Sequence, residues 1–401
     1  MERCAGLDWA KDTHQVCVLE GDGDPLVQRG FTHDERDLDG MCKLLVELGV
    51  KRIAIERPEG VLVERLLEAG LIVLPVHPNQ LKAARPRFRV AGGKSDSFDA
   101  FCLAELARTD HRRFRVLVPD SDETKALRAL TRAREDLVKT KVSLTNRLQA
   151  ELEAFWPGAA GVFVKIDSPI ALAFLERYPS PTDARRLGEK RLQGFLTRHG
   201  YCGGKSAPEL LAKLRSAPKG RAEENEEAAR RTAVLSLLAA LRPVVEQVGL
   251  LESQIADAVR THPDGEIFLS LFRHPDSTLT AATLLCEIGD RRERYPSAEA
   301  LSADAGMSPV AKESGRRKVA TFRRSCDKRL RDAMTTLADS SRLHDPWAKD
   351  VYLRARERGC DHPHAIRVLG RAWIRVIWRM WQDGVPYDRS KHGARKDLNA
   401  A

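Results

Sequence analysis

Residues 3–76 impose the strongest constraint on this chain, because they run strand, strand, strand, helix, strand, helix, strand. Arg3–Asp8 reads as a strand ending on an acid, and Thr13–Leu19 passes from polar into β-prone residues (Val16, Cys17, Val18, Leu19). The turn dipeptide Asp22-Gly23 precedes a third strand at Pro25–Thr32, so these three strands predict an antiparallel meander. Arg36–Leu48 is a helix with Leu38, Met41, Leu44, Leu45 and Leu48 along one side, capped by Asp34 and stopped by Gly49. Lys51–Glu56 is a short strand and Val61–Ala69 a helix ended by Gly70. Leu71–Val76 is nearly all apolar, as a strand covered on both faces must be. That order predicts a mixed sheet with helices packed on it.

Four acids fall at notable places in the pattern. Asp8 ends the first strand, and Glu56 stands at the carboxyl end of the fourth, the edge where α/β sheets gather ligands. Asp96 and Asp99 lie in KSDSFDAFCLAELAR, a helical stretch whose three-residue spacing puts both carboxylates on one face. Four converging carboxylates repel one another unless divalent cations neutralise them. An all-oxygen donor set suits Mg2+ or Mn2+, and two such ions can assist phosphodiester cleavage. Taken singly, each acid is as well explained by a turn or a helix cap. Upstream, Lys82, Arg85, Arg87, Arg89, Gly92, Gly93 and Lys94 read as a basic, glycine-bearing loop able to hold phosphate.

The middle of the chain is helical. Glu123–Phe155 predicts one long helix with a basic side, ended by Pro157-Gly158. Val234, Leu241, Val248 and Ile255 recur every seven residues, with Leu237, Val244, Leu251 and Ala258 between them. This is a heptad seam, suited to a coiled coil between subunits or to a helix packed on its own domain. Pro243 interrupts it, at a cost of about 3 kcal/mol in a helix interior.

Farther on, Thr278–Ile288 is an apolar helix, and Ser297 caps a second one. A dense basic stretch follows, with Lys312, Arg316, Arg317, Lys318, Arg323, Arg324, Lys328, Arg329 and Arg331 around and after Ser314-Gly315. Such cations repel one another unless an anion is near, and the phosphate backbone of nucleic acid is the natural anion. The formal net charge of +10 points the same way. Trp373, Trp378 and Trp381 belong to a helical tail and read as core residues rather than base-stacking ones. None of the eight cysteines forms a CxxC pair, and Cys360, His362 and His364 lack the second ligand pair of a zinc site. The start carries no signal-peptide pattern and the apolar runs fall short of the roughly 20 residues of a membrane span. A cytoplasmic protein is expected, with no membrane partner.

At these motifs the chain resembles the DEDD-type bacterial insertion-sequence transposases of the IS110 family over most of its length. GLDWAK with Asp8, AIERPEG with Glu56 and KSDSFDA with Asp96 and Asp99 are similar to that family's nuclease motifs. LLCEIGD, LSADAGMSP and ESG with Ser314 are similar to its C-terminal transposase domain. The resemblance implies an RNase H-like (RuvC-like) α/β N-terminal domain at 1–120 and a helical linker and coiled coil at 121–265. A mostly α transposase domain at 266–346 and a basic helical tail at 347–401 complete it. It further implies Mg2+ at Asp8, Glu56, Asp96 and Asp99, with Mn2+ as a substitute, and Ser314 as a covalent nucleophile. Nucleic-acid contacts are expected from Lys94 and from the basic residues 312, 316–318, 323, 324, 328 and 329. The implied partners are donor and target duplex DNA, a structured guide RNA, and further copies of the chain as a dimer to tetramer. Departures stand at Arg57-Pro58-Glu59-Gly60, at His274–Ser277 and at Ser325–Lys328. Two other readings are a metal-dependent, structure-specific endonuclease and a non-catalytic DNA- or RNA-binding protein.

Overall fold

The structure is a computed structural model and describes residues 2–56, 58–89, 95–274, 277–314 and 317–391. It divides into two compact units, residues 1–119 and 120–401.

In the first unit, β1 (Arg3–Trp9), β2 (Thr13–Leu19), β3 (Pro25–Thr32), β4 (Val50–Ile55) and β5 (Ile72–Pro75) form one sheet in the order β3-β2-β1-β4-β5. The meander β1–β2–β3 is antiparallel, while β4 and β5 run parallel to β1. This mixed five-stranded sheet is consistent with an RNase H-like fold. Helices α1 (Glu35–Glu47) and α2 (Val61–Glu68) follow the expected positions. Asp34 caps α1 by accepting from the Asp37 amide, as its position predicts. With α1 and α2, the odd-numbered residues Ala5, Leu7, Ile53 and Ile55 form one apolar core. The even-numbered Cys4 and Ala54 face the other side, in a core shared with α4 (Asp96–Thr109).

One stretch differs from its reading. Pro78–Phe88, taken as part of a basic loop, is helix α3. Pro78 opens it, and His77 with Gln80 completes a capping box. Leu81, Ala84 and Phe88 form a short apolar row on the core, but the basic residues between them and the internal Pro86 mask it in the sequence. Gly92, Gly93 and Lys94 lie outside the described residues.

In the second unit, two long helices, α5 (Asp122–Phe155) and α10 (Glu224–Thr261), enclose α6 (Pro157–Val162), α7 (Pro169–Arg177), α8 (Glu189–Arg198) and α9 (Ala207–Ser216) in sequence. After α10 come α11 (Gly265–Leu269), α12 (Thr278–Ile288), α13 (Ala298–Asp304) and the hairpin β6 (Val310–Ser314) and β7 (Arg317–Thr321). The chain then closes with α14 (Lys328–His344), α15 (Pro346–Glu357) and α16 (His362–Asp383). Ion pairs Arg134–Glu252 and Arg230–Glu151 show that α5 and α10 run antiparallel along each other. Val234, Leu238 and Leu241 join a core with the far end of α5 and α6–α9. Ile255 and Val259 join a second core with the start of α5 and α11–α16. The heptad row Val234, Leu241, Val248 and Ile255 is thus buried within its own chain, and α10 continues through Pro243. Among the described helices α10 alone is long and apolar enough to cross a membrane, by length and composition only. Trp373 and Trp381 are fully buried, with their indole N–H groups satisfied by Ser341 Oγ at 2.8 Å and Gly289 O at 2.9 Å. They serve the core, as expected.

Candidate nuclease and nucleic-acid sites

The first unit brings the elements that carry the four acids to one end of one sheet face. β1 and β4 are adjacent and parallel, with Leu7 opposite Ile55, so Asp8 and Glu56 follow each other at neighbouring strand ends, about 5 Å apart along the backbone. By strand alternation both acids share the face that carries Cys4, Gly6 and Ala54, the face covered by α4. Gly6 explains how closely α4 can lie. A Cβ at that position would stand 2.1 Å from the Ala104 nitrogen and 2.2 Å from the Ala100 oxygen, so only glycine admits the helix backbone. The carboxyl end of α4 lies toward the start of β1, because Arg108 and Glu105 reach the β2–β3 turn at Gly23. Its first turn, with Asp96 and Asp99, therefore lies toward the end of β1. Ser95 caps that turn, its hydroxyl accepting from the Phe98 amide at 3.2 Å. A helix N-terminus favours carboxylates by its dipole.

The four side chains differ in setting. Asp96 is exposed, Asp8 and Glu56 are half-buried, and Asp99 is 1% exposed. Asp99 is held by Arg85 of α3 in a two-pronged pair, Nε to Oδ1 at 2.6 Å and Nη2 to Oδ2 at 2.8 Å. The hydrogen bond with Asp99 raises the Arg85 pKa against the opposing effect of burial, and the Glu56 charge adds to the rise. One guanidinium thus neutralises the buried member of the acid set and feels a second. Among the described residues no three candidate ligands are gathered around one point. The donor chemistry, all carboxylate oxygen, fits a hard divalent cation, whereas the side-chain arrangement is the one held by Arg85. Sequence reading placed Arg85 in a loop and had no signal for this pairing, because the partners are 14 residues apart and meet only once α3 has formed.

Beside this end, on the opposite face of the sheet, His14 lies opposite Trp9 in the β1–β2 pairing. The His14 ring stacks on Trp9, and its Nε2 stands 2.8 Å from His33 Nδ1. Burial, and then the neighbouring His33, push the His14 pKa down to about 4, so this imidazole is neutral at physiological pH.

In the second unit Ser314 is the last residue of β6 and pairs with Arg317, the first of β7. The residues between them, Gly315 and Arg316, lie outside the described residues. Ser314, Arg317, Lys312 and Lys318 therefore stand at or near the tip of a two-stranded hairpin rather than in an irregular loop. Of the other expected nucleic-acid contacts, Arg329 is engaged with Glu135 at 2.5 Å, and the Arg323 guanidinium donates to the Ser308 carbonyl. Arg324 and Lys328 are exposed.

Two family descriptions match this chain. One, a transposase of the DEDD IS110 type, matches residues 5–157; the other, described as the IS116/IS110/IS902 transposase family, matches residues 277–353. The chain is 31% identical over 397 residues to a mini-circle putative transposase for IS117 of Streptomyces coelicolor, covering 96% of this chain and 95% of the relative. It is 35% identical over 201 residues to the putative transposase y4uE of Sinorhizobium fredii, covering 49% of this chain and 56% of that one. An insertion element IS116 protein of Streptomyces clavuligerus is 27% identical over 384 residues, 94% of each chain.

Proposed function

The chain belongs to the IS116/IS110/IS902 family of transposases and is an enzyme acting on DNA, and from that premise we propose how its two units divide the work. The first unit is a RuvC-like nuclease in which Asp8, Glu56, Asp96 and Asp99 hold Mg2+, with Mn2+ able to replace it. The ion would supply a Lewis acid that polarises the scissile phosphate. The observation that carries this reading is the shared end and shared face of β1, β4 and α4, which owe their positions to the parallel register and to Gly6. An ion at Asp99 would share the carboxylate with Arg85, each oxygen keeping a second lone pair, and its charge would loosen the guanidinium by repulsion. The loosened guanidinium can then turn to a phosphate oxygen, for which its planar fork is suited.

Ser314, at the hairpin, is the covalent nucleophile of the second unit. Its Oγ attacks phosphorus, the Oγ–P bond forms, the bond to the 3′ oxygen breaks, and the proton ends on the departing 3′-hydroxyl. The 5′-phosphoserine ester keeps the phosphodiester energy, so another strand's 3′-hydroxyl can displace the serine without ATP. Lys312 and Arg317 stand beside it on the hairpin, where cations can stabilise charge developing on phosphoryl oxygens. The remaining parts of the reading rest on the family resemblance: a structured guide RNA, donor and target duplexes, cytoplasmic action, and a dimer to tetramer. The four domains at 1–120, 121–265, 266–346 and 347–401 belong to the same reading. Since the heptad row of α10 is covered by its own chain, a coiled-coil contact between subunits would use the outer residues of the α5–α10 pair. Val142 and Leu250, 48% and 56% exposed, are such residues.

The deciding experiment traps labelled DNA on denatured protein. Wild type should give a covalent adduct, S314A should bind DNA without one, and D96A should lose metal-dependent cleavage and Mn2+ affinity. An adduct at wild-type level in S314A would remove this serine from the chemistry. Unchanged Mn2+ affinity in D96A and D99N would remove the shared metal site. Donor–target recombination should require the element's own transcript, and full activity after rigorous RNase treatment would remove the RNA. A structure-specific endonuclease is the competing reading; it predicts cutting without strand transfer on the same substrates.

A further inference from the structure

Many arginines in the second unit are spent on carboxylates, and others stand singly on the surface. Arg134, Arg230, Arg292, Arg342 and Arg354 pair with acids at 2.5 to 3.0 Å. One group does neither. Arg367, Arg371 and Arg375 recur every four residues along α16, so they form one stripe, and among the described residues none of them reaches a carboxylate. Arg379, one turn farther, is by contrast paired with Asp383 at 2.6 Å. Burial, and then the like charge of Arg375, push the Arg371 pKa down. Three aligned cations without a counterion are a standing repulsion in the free protein.

The stripe continues onto the segment that leaves the Ser314 hairpin. Phe322, directly after β7, is 46% exposed, and two guanidiniums sit at its ring: Arg331 of α14 at 4.6 Å and Arg367 of α16 at 5.2 Å from the centroid. Arg331 also finds no carboxylate; its Nη2 donates to the Arg323 carbonyl at 2.7 Å, and its buried Nε has no partner among the described residues. Cation–π contact holds a guanidinium in place without neutralising it. Arg331 and Arg367 are therefore oriented yet keep their charge.

We infer that Arg331, Arg367, Arg371 and Arg375, organised around Phe322, form a phosphate-binding track for the backbone of duplex DNA, running from the foot of the Ser314 hairpin along α16. The inference needs only the DNA substrate of the family, not the covalent role of Ser314. β7 places Thr321 four residues from Arg317, so the track begins about 14 Å from the hairpin tip, or about four base steps of duplex. The spacing suits a backbone gripped a short way from the strand that is cut. The track contacts phosphates only and confers register, not sequence preference.

The test is the salt dependence of duplex binding by the full chain, read by fluorescence anisotropy with a labelled duplex. R367Q/R371Q/R375Q should lower the slope of log K against log salt by about 2 to 3, near 0.9 for each phosphate that is no longer neutralised. R342Q removes one positive charge at a site paired with Asp339 and should leave the slope unchanged. R375Q alone changes an exposed side chain, cannot be dismissed as misfolding, and should lower the slope by about 1. A matched RNA hairpin is titrated alongside. A duplex slope equal to wild type in both the triple variant and R375Q overturns the track. A weakening confined to the RNA hairpin overturns the assignment to duplex DNA.

Discussion

Two places in the molecule treat charge in opposite ways. At the acid-bearing end of the first unit, the buried carboxylate of Asp99 has its own cation, and Arg85 meets both its oxygens. Along α16 in the second unit, Arg367, Arg371 and Arg375 have no carboxylate among the described residues. A buried charge without a partner is costly, so the fold supplies Asp99 with one. An exposed or half-exposed cation is tolerated in water, so the fold can leave a stripe of them for an incoming anion. The lesson is that matched charge marks a place closed until something displaces the match, whereas unmatched charge marks a place already open to ligand.

The largest expected effect separates chemistry from charge. S314A should lose at least about 10³-fold in strand transfer while duplex affinity stays within a few-fold, because a nucleophile is removed and no cation is. A parallel fall in affinity would mean that the hairpin binds rather than reacts. Next comes the matched pair. R85Q should destabilise the first unit by about 3 kcal/mol in urea melts, since Asp99 is left buried and charged. R85Q/D99N should recover most of that stability, and added Mn2+ should stabilise R85Q more than wild type. If R85Q melts like wild type, the pair is not holding Asp99 and the contrast between the two places fails.

A third prediction concerns a base that the first unit keeps uncharged. The His14 pKa is about 4 when folded against 6.5 for the free imidazole. The unfolded chain therefore takes up a proton between those values and the folded one does not. The contribution is complete above pH 6.5 and is lost as pH falls toward 4, up to about 3 kcal/mol. H14N should flatten the dependence of stability on pH over that window relative to wild type; an unchanged slope would show that His14 is protonated in the fold. The smallest effect lies at the unmatched stripe. R375Q should raise stability of the free protein by a few tenths of a kcal/mol, about 0.3, or leave it unchanged, because it relieves repulsion and breaks no pair. A loss of 1 kcal/mol or more would mean that Arg375 has a partner after all, and the comparison would narrow to Arg85 alone.

The residues by themselves determined the local elements and the positions of the acids along them. The acid-ended run Arg3–Asp8, the β-prone run at Thr13–Leu19, the Asp34 cap, the apolar run at Thr278–Ile288 and the Ser297 cap all act within a turn or a strand, and all stand where the sequence puts them. Asp8 and Glu56 at strand ends and Asp96 with Asp99 in one helical turn follow from the same short-range rules. Tertiary structure decided who meets whom. The α3 helix has only the short apolar row Leu81, Ala84 and Phe88, broken up by cations and Pro86, and nothing in that row tells that it delivers Arg85 to Asp99. A heptad row serves equally well against a neighbour in the same chain or in another, since apolar contact is not directional; only the return of the chain through α6–α9 laid α5 along α10. The dense cations near Ser314 were visible in the sequence, but which arginines are spent on acids depends on distances between helices far apart in it. Arg329 is consumed by Glu135, 194 residues away, while Arg367 rests on Phe322 and keeps its charge for an anion.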